Sequence, residues 1–414
     1  MGITRSVSED DRPSRPAPFV QRCVRCSRTY GIREHVTTCE CSGMTAFEYP
    51  SESLHWPPPK NVSGLARYWP LLPIIDPANI LKQDSTSALP TPLYRSARIG
   101  EEIGLRNLWI KDESVHHTKT FKDRDALVTV SRFQELGLHE FVMSSTGNTA
   151  AAFAYAVGMA AASLKAHIFL PKGTIIDFPL AREDSTKVSF VDGDYSSAIV
   201  EAKEFSKSRG IPLEGGFSNP CRTEAAKTIA YEIAESGVRP DWYVQGVTNG
   251  AGAYGFYKGY SELVRFGVVE RAPRLLCVQP DGCAPMVSAF RAGREKLARE
   301  DVPSESRTFV TTLSCTNPAY SYPYMREAVL DSGGGFEEAS DREIANAFIL
   351  LLKLEGRLVD PAVAVGLAGI VRAFESGTVD RDEVIVLSLS GGIRGDGTTD
   401  RKMDLARGER PESS

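Results

Sequence analysis

Lys122 is the side chain in this sequence best placed to do covalent chemistry. It lies in Ser114-Val115-His116-His117-Thr118-Lys119-Thr120-Phe121-Lys122-Asp123-Arg124, after the strand-like run Leu108-Trp109-Ile110-Lys111 and before an apolar helical pattern opened by Ala126, Leu127 and Val128. Helices ordinarily show lysines to solvent, and for an isolated motif that bland reading would win. Two glycine-rich segments far downstream change the balance. A lysine amine can form a Schiff base with an aldehyde, and backbone amides at a loop–helix junction hold a phosphate. An aldehyde cofactor with a phosphate tail needs both.

Three further segments carry chemistry, each at the end of a strand-like run. Ser144-Ser145-Thr146-Gly147-Asn148-Thr149 gathers hydroxyls, an amide and a glycine at a helix start, a nest for an anion such as a carboxylate. Helix capping explains one of those hydroxyls but not the cluster. Gly246-Val247-Thr248-Asn249-Gly250-Ala251-Gly252-Ala253 joins a strand to a helix, where glycines let the backbone approach a phosphate and the helix dipole adds attraction. It is no Walker loop, since no Lys-Ser/Thr follows, and its spacing misses the dinucleotide fingerprint. Leu389-Ser390-Gly391-Gly392 ends the last strand; its hydroxyl could meet a heterocyclic nitrogen, although alone it reads as a plain turn.

The eight cysteines fall into two groups. Cys221, Cys277, Cys283 and Cys315 are scattered and read as reduced core or lining residues. Cys23, Cys26, Cys39 and Cys41 form two short knuckles that can close a tetrahedral zinc site and fold a segment with little core. His35 could replace one thiolate. Nothing beside them looks like a catalytic base, so the expected metal is structural.

These residues need elements to position them. The chain has 414 residues, 42% of them hydrophobic, and a net charge of −5. Bulk nucleic-acid or anionic-membrane binding is not suggested, no apolar run is long enough to cross a bilayer, and no export signal shows. A cytoplasmic protein without nucleic-acid or membrane partners is expected. Residues 1–18 and 397–414 read as flexible tails, 19–50 as a zinc-ribbon-like segment, and the proline-rich 51–90 as a connector that drapes rather than packs. From Thr91 onward strands and helices alternate: strands at 141–144, 166–170, 188–191, 242–244, 275–278 and 383–389, helices at 149–159, 196–207, 223–235, 254–265 and 341–354. Such alternation implies α/β architecture, parallel sheets covered on both faces, with ligands beyond the strands' carboxyl ends.

In their order, Lys111-Asp112-Glu113, Thr120 to Arg124, Ser144 to Thr149, Asn219-Pro220-Cys221-Arg222, the loop at 246–253, Glu355-Gly356 with Asp360-Pro361-Ala362, and Ser390-Gly391 resemble the threonine synthase family. Its members are pyridoxal-phosphate enzymes of the tryptophan-synthase β fold, fold type II, and many carry an N-terminal zinc ribbon. The resemblance spans about residues 60–396. It implies two doubly wound domains over 91–396, the smaller at about 130–215 inserted in the larger. Fold relatives are often dimers, so a homodimer is expected by analogy.

The resemblance also implies roles. Lys122 would bind pyridoxal 5′-phosphate covalently and then carry the proton. Phe121 would lie beside the ring, Asn148 would bond the 3′-oxygen, and Ser390 would meet the pyridine nitrogen. Thr248, Asn249, Gly250, Ala251 and Gly252 would hold the phosphate. Ser144, Ser145 and Thr146 would take the substrate carboxylate, while Arg222, Lys119 and Arg124 are the cations available to a phosphate on the substrate. One departure stands on the substrate-facing turn. Where the family has Asn-Pro-Thr-Gly-Ser, this chain has His116-His117-Thr118-Lys119-Thr120, which adds charge and bulk. Thr118-Lys119-Thr120-Phe121-Lys122 and Tyr243 to Val247 are similar to cysteate synthase, which adds sulfite after phosphate leaves O-phosphoserine. The expected reaction is therefore elimination of phosphate from O-phosphohomoserine with addition of water. Replacement on O-phosphoserine, or a catalytically silent relative binding a partner through its ribbon, is the alternative.

Overall fold

The computed structural model describes residues 19–393 apart from 54–55, 60–61, 85–88, 161–163, 173, 175–183 and 194. The two expected tails lie outside the described residues. The first element is a three-stranded antiparallel sheet, β1 (Val20–Cys23), β2 (Thr29–Tyr30) and β3 (Thr45–Glu48), in the order β2-β1-β3. It is tied to the rest of the chain by polar contacts. Arg132 donates to the carbonyls of Ile32 and Glu34, the Tyr324 hydroxyl accepts from the Met44 amide at 2.9 Å, and Arg265 donates to the Tyr49 carbonyl at 3.1 Å.

The stretch expected to drape does otherwise. Leu65–Leu71 forms a 3-10 helix and α1 spans Pro77–Asp84. Leu65, Tyr68, Leu71, Leu72, Ile74 and Ile80 are all buried in the main core. The prolines break up regular structure there, but the apolar side chains between them still gain by leaving water.

Next come β4 (Leu93–Arg95), α2 (Ala97–Ile103), β5 (Asn107–Asp112) and α3 (Lys122–Glu135). A separate parallel sheet follows in the order β6-β7-β8, from β6 (Glu140–Ser144), β7 (Lys165–Pro171) and β8 (Thr186–Val191), with α4 (Asn148–Met159) and α5 (Tyr195–Arg209). The chain then forms α6 (Pro220–Glu235), β9 (Trp242–Gly246), α7 (Ala251–Arg265), β10 (Arg274–Pro280), α8 (Pro285–Arg291), α9 (Tyr322–Asp331), β11 (Gly335–Ala339), α10 (Asp341–Glu355), α11 (Pro361–Glu375) and β12 (Val384–Leu389).

The large sheet runs β11-β10-β9-β12-β5-β4, parallel except where β4 meets β5. Its central strand β9 is buried at every residue, as a strand covered by helices on both faces must be. One covering helix, α11, shows why it stays put: Asp360 caps it by accepting from the Ala362 amide at 3.0 Å, and Pro361 needs no partner at the first position. This is a fold with two α/β sheets and helices on the large one's faces. Among the described residues no helix is long and apolar enough to cross a membrane.

Candidate active site

Four strands end where the candidate residues begin: β5 before the turn to Lys122, β6 at Ser144, β9 at Gly246 and β12 at Leu389. Lys122 opens α3, and its turn is fixed at both ends. On one side the Asp123 carboxylate accepts from the Thr118 amide at 3.0 Å and from the Thr118 hydroxyl. On the other, the Phe121 amide donates to the Ser390 carbonyl at 3.1 Å, and the Gly392 amide donates to the Lys119 carbonyl at 2.7 Å. Ser390 is thus bolted beside Lys122 by backbone hydrogen bonds. Lys119 has φ +59°, the left-handed region that glycine enters freely and other residues at a cost. Lys119 thus holds a conformation that glycine adopts more easily, with its side chain exposed.

The Lys122 amine lies 4.0 Å from the centre of the Phe121 ring. On the same ring rests Gly252, in the first turn of α7: a Cβ there would come within 2.9 Å of Phe121 Cζ and 2.7 Å of Gln245 Nε2. Only glycine fits. Gly250, with φ +81°, precedes the helix. Thr248 donates to the Thr312 carbonyl at 3.3 Å, and Asn249 Oδ1 accepts from Cys315 Sγ at 3.6 Å. Ala251 begins α7, leaving the loop and the helix's first amides to receive an anion. These residues fit a phosphate-tailed aldehyde: amine, aromatic face and anion cradle share one ring. Phe121 and Gly252 are joined directly, and Ser390 is hydrogen-bonded to Phe121.

Of the serine cluster, Ser145 is buried and its Oγ accepts from the amides of Gly147 and Ala150 at 3.0 and 3.1 Å. Capping thus occupies that oxygen. Ser144 lies near enough to the Tyr195 hydroxyl to lower its pKa against burial, whereas Thr146 and Asn148 are partly exposed at the start of α4.

The three candidate cations divide. Lys119 is exposed. Arg222 is buried and paired with Glu214, Nε to Oε1 at 2.7 Å and NH2 to Oε2 at 2.5 Å. Arg124 is 0% exposed, and all its nitrogens are engaged: with Glu113, with Glu232, and with Thr91 and Thr228. Lys111 completes that cluster, 2.6 Å from Glu232. Burial, the largest single influence, pushes Glu113 and Glu232 up, but Arg124 and Lys111, joined by His116 at Glu113, together outweigh it and hold both carboxyls below their ordinary range. Arg124 is thus a cross-brace between α3 and α6, with no donor left for a ligand; of the three expected cations, Arg222 and Lys119 remain.

Sequence reasoning passed over Asp125, Glu214 and Tyr195. Asp125 Oδ2 accepts from Lys122 Nζ at 2.9 Å; its signal was available, an acidic residue three positions along a helix from the key amine. Tyr195 begins α5 and feels the charges of Arg222, Cys315 and Glu214, a meeting of distant segments that no local pattern announces. Burial holds the Lys122 amine below its ordinary range, with Asp125 opposing and Arg222 reinforcing that shift.

The metal-ligand cluster consists of Cys23, Cys26, Cys39 and Cys41, whose sulfurs all lie within 4.8 Å of one another, with Cys23–Cys41 at 3.5 Å and Cys26–Cys39 at 3.6 Å. Tetrahedral zinc with Zn–S of about 2.3 Å asks for about 3.8 Å between sulfurs, so the set fits. His35 is not part of it. Its ring packs edge-on to Phe133 at 5.1 Å, and burial pushes its imidazole down to about 3.

Residues 85–391 match the family of pyridoxal-phosphate dependent enzymes. The threonine synthase of Methanocaldococcus jannaschii is 34% identical over 383 residues, 90% of this chain and 92% of that protein. The cysteate synthase of Methanosarcina mazei is 27% identical over 395 residues, again 90% and 92%. Among solved structures, threonine deaminase isoform 2 from Solanum lycopersicum superposes with a TM-score of 0.63 at 21% identity, covering 80% of this chain and 92% of that one. Maize serine racemase gives 0.63 at 20%, covering 79% and 98%. Both structures share the fold.

Proposed function

The chain belongs to the pyridoxal-phosphate dependent enzymes, and from that premise we propose that it expels phosphate from a phosphorylated amino acid, as threonine synthase does with O-phosphohomoserine and water. The observation that supports this most is the shared Phe121 ring, with the Lys122 amine on it and Gly252 of the anion-binding loop against it. When bound, pyridoxal 5′-phosphate supplies the electron sink for breaking bonds next to the amino group. Lys122 holds that group and afterwards carries the proton at its Nζ. Thr248 to Gly252 receive its phosphate, Asn148 its ring oxygen and Ser390 its ring nitrogen. A neutral hydroxyl at the ring nitrogen leaves that nitrogen largely unprotonated, which suits elimination over transamination.

Ser144, Ser145 and Thr146 orient the substrate carboxylate through the start of α4, and Arg222 and Lys119 attract the departing phosphate. In the ribbon, Cys23, Cys26, Cys39 and Cys41 hold a structural zinc ion. The protein works in the cytoplasm, and as a homodimer by analogy with its fold relatives.

A second reading has its own support. Lys119 puts an exposed cation on the substrate-facing turn, which suits a dianionic nucleophile such as sulfite added after phosphate leaves O-phosphoserine, and cysteate synthases are among the relatives. Phosphate release measured with O-phosphohomoserine alone, and with O-phosphoserine plus sulfite, separates the two. Release in the first mixture with threonine as product supports the leading reading. Release only in the second supports the other. A protein that stays colourless when given the cofactor and releases phosphate from neither would be a silent, partner-binding relative.

A further inference from the structure

We propose that Asp125 is a positioning residue for Lys122, a buried carboxylate that grips the amine and its proton and so sets the pH at which the amine can react. The inference rests on the reading of Lys122 as the cofactor amine.

Asp125 is 1% exposed and lies one helical turn after Lys122, so both point from the same face of α3. Oδ2 takes the amine at 2.9 Å, while Oδ1 is buried with no hydrogen-bond partner among the described residues. The charged groups facing it are Lys122 on its own helix, Arg222 from α6 and Glu214 from the segment before α6; Tyr195 of α5 faces Arg222 in turn. A half-satisfied buried carboxylate is costly to fold. Glu214 engages Nε and NH2 of Arg222, and Arg222 acts on Asp125 through its charge alone, with no hydrogen bond between the two among the described residues. The one direct partner of Asp125 among the described residues is the amine.

Two consequences follow. An anion at hydrogen-bond distance favours the ammonium form, against the desolvation that favours the neutral amine. The same contact fixes the direction of a flexible four-carbon side chain that would otherwise explore many rotamers. Only the neutral amine can add to an aldehyde, with one water leaving, so the carboxylate governs how much reactive amine exists at a given pH.

The test uses the full chain freed of cofactor. Pyridoxal 5′-phosphate is added from neutral to alkaline pH, the covalent adduct is trapped with borohydride at timed intervals, and labelling of Lys122 is read by peptide mass. In Asp125→Asn, which keeps the side chain's shape, the pH midpoint of the capture rate is expected to move down by about one unit or more. Asp125→Ala should move it the same way, and Asp125→Glu should return it toward the wild-type position. Unchanged midpoints in both the Asn and Ala variants, with folding intact by circular dichroism, overturn the proposal while leaving Lys122 as the cofactor amine. No label on Lys122 in the wild-type chain overturns the underlying reading as well.

Discussion

Two ion clusters share the first turn of α3 and have opposite characters. Around Arg124, the side chains of Lys111, Glu113 and Glu232 meet with Thr91 and Thr228, and none of the polar atoms of Arg124, Lys111, Glu113 or Glu232 lacks a partner. Around Lys122, the side chain is 16% exposed and one oxygen of the Asp125 carboxylate has no partner among the described residues. Charge type does not separate them, since both combine buried acids with buried bases. Spare capacity does. A cluster that closes on itself braces the fold, and one left open can still take a ligand or a proton.

The sharpest way to break that contrast is to remove one member from each side. Lys122→Ala should lower turnover by about 10²–10⁴-fold or more, the range lost with a proton-transferring group, while its thermal midpoint stays near wild type. A variant that retains turnover would place the chemistry elsewhere. Arg124→Met should do the reverse, costing about 3–5 kcal/mol in denaturant unfolding because buried Glu113 and Glu232 lose the guanidinium they share and keep only His116, Thr91 and Lys111. The sign with pH can be worked out. Both carboxyls are held below their ordinary 4.5, so the stability they contribute is fully present above that value and is lost as pH falls through their lowered range. The gap between variant and wild type should therefore narrow in acid; a constant gap would mean that Arg124 matters through packing alone.

Asp125 should respond oppositely to Arg124. Burial raises its carboxyl above the ordinary 3.8, against the pull of Lys122 and Arg222, so its charged form works against folding near neutrality. Asp125→Asn should then melt at a higher temperature than wild type near neutral pH, an advantage that fades as acid protonates the native carboxyl. A lower melting temperature would make Asp125 a brace like Arg124.

The ribbon offers a third kind of cluster, one that a metal would close. Cys39→Ser should lower the zinc measured per chain and the thermal midpoint by several degrees, since metal binding and folding are coupled. Full zinc content in the variant would contradict a four-cysteine site. The smallest effect belongs to Lys119→Gly. It relieves a left-handed lysine, a gain of about 1 kcal/mol, and should alter the ratio of turnover between O-phosphohomoserine and O-phosphoserine more than the affinity for cofactor. An unchanged ratio would count against a substrate-facing role for this turn.

What could be read from the sequence was what local pattern encodes. Strands such as Trp242–Gly246 announce themselves by apolar runs, and the β12 end by the glycines after Ser390. The four cysteines are legible because knuckle spacing is itself a local signal. The order of motifs supplied what no single segment could, since the family likeness depends on their succession. Harder to see was the packing of the proline-rich 65–80, where short helical turns bury Leu65, Tyr68 and Ile80 without a long period. Arg124 and Arg222 look alike in sequence, yet partners 108 and 8 residues away decide that one braces two helices and the other pairs with the segment before its own helix. Asp125 shows the limit most clearly. Its spacing from Lys122 was visible, but that one oxygen would be left unpartnered depends on every surrounding element.

The central claim, that the Lys122 amine holds the cofactor, is tested most directly by reducing the cofactor-loaded protein with borohydride and mapping the modified peptide. The account predicts one pyridoxyl group per chain, on Lys122, and a visible absorbance band that Lys122→Ala lacks. A pyridoxyl group on another lysine, or an unmodified and colourless chain after saturation with cofactor, would contradict it.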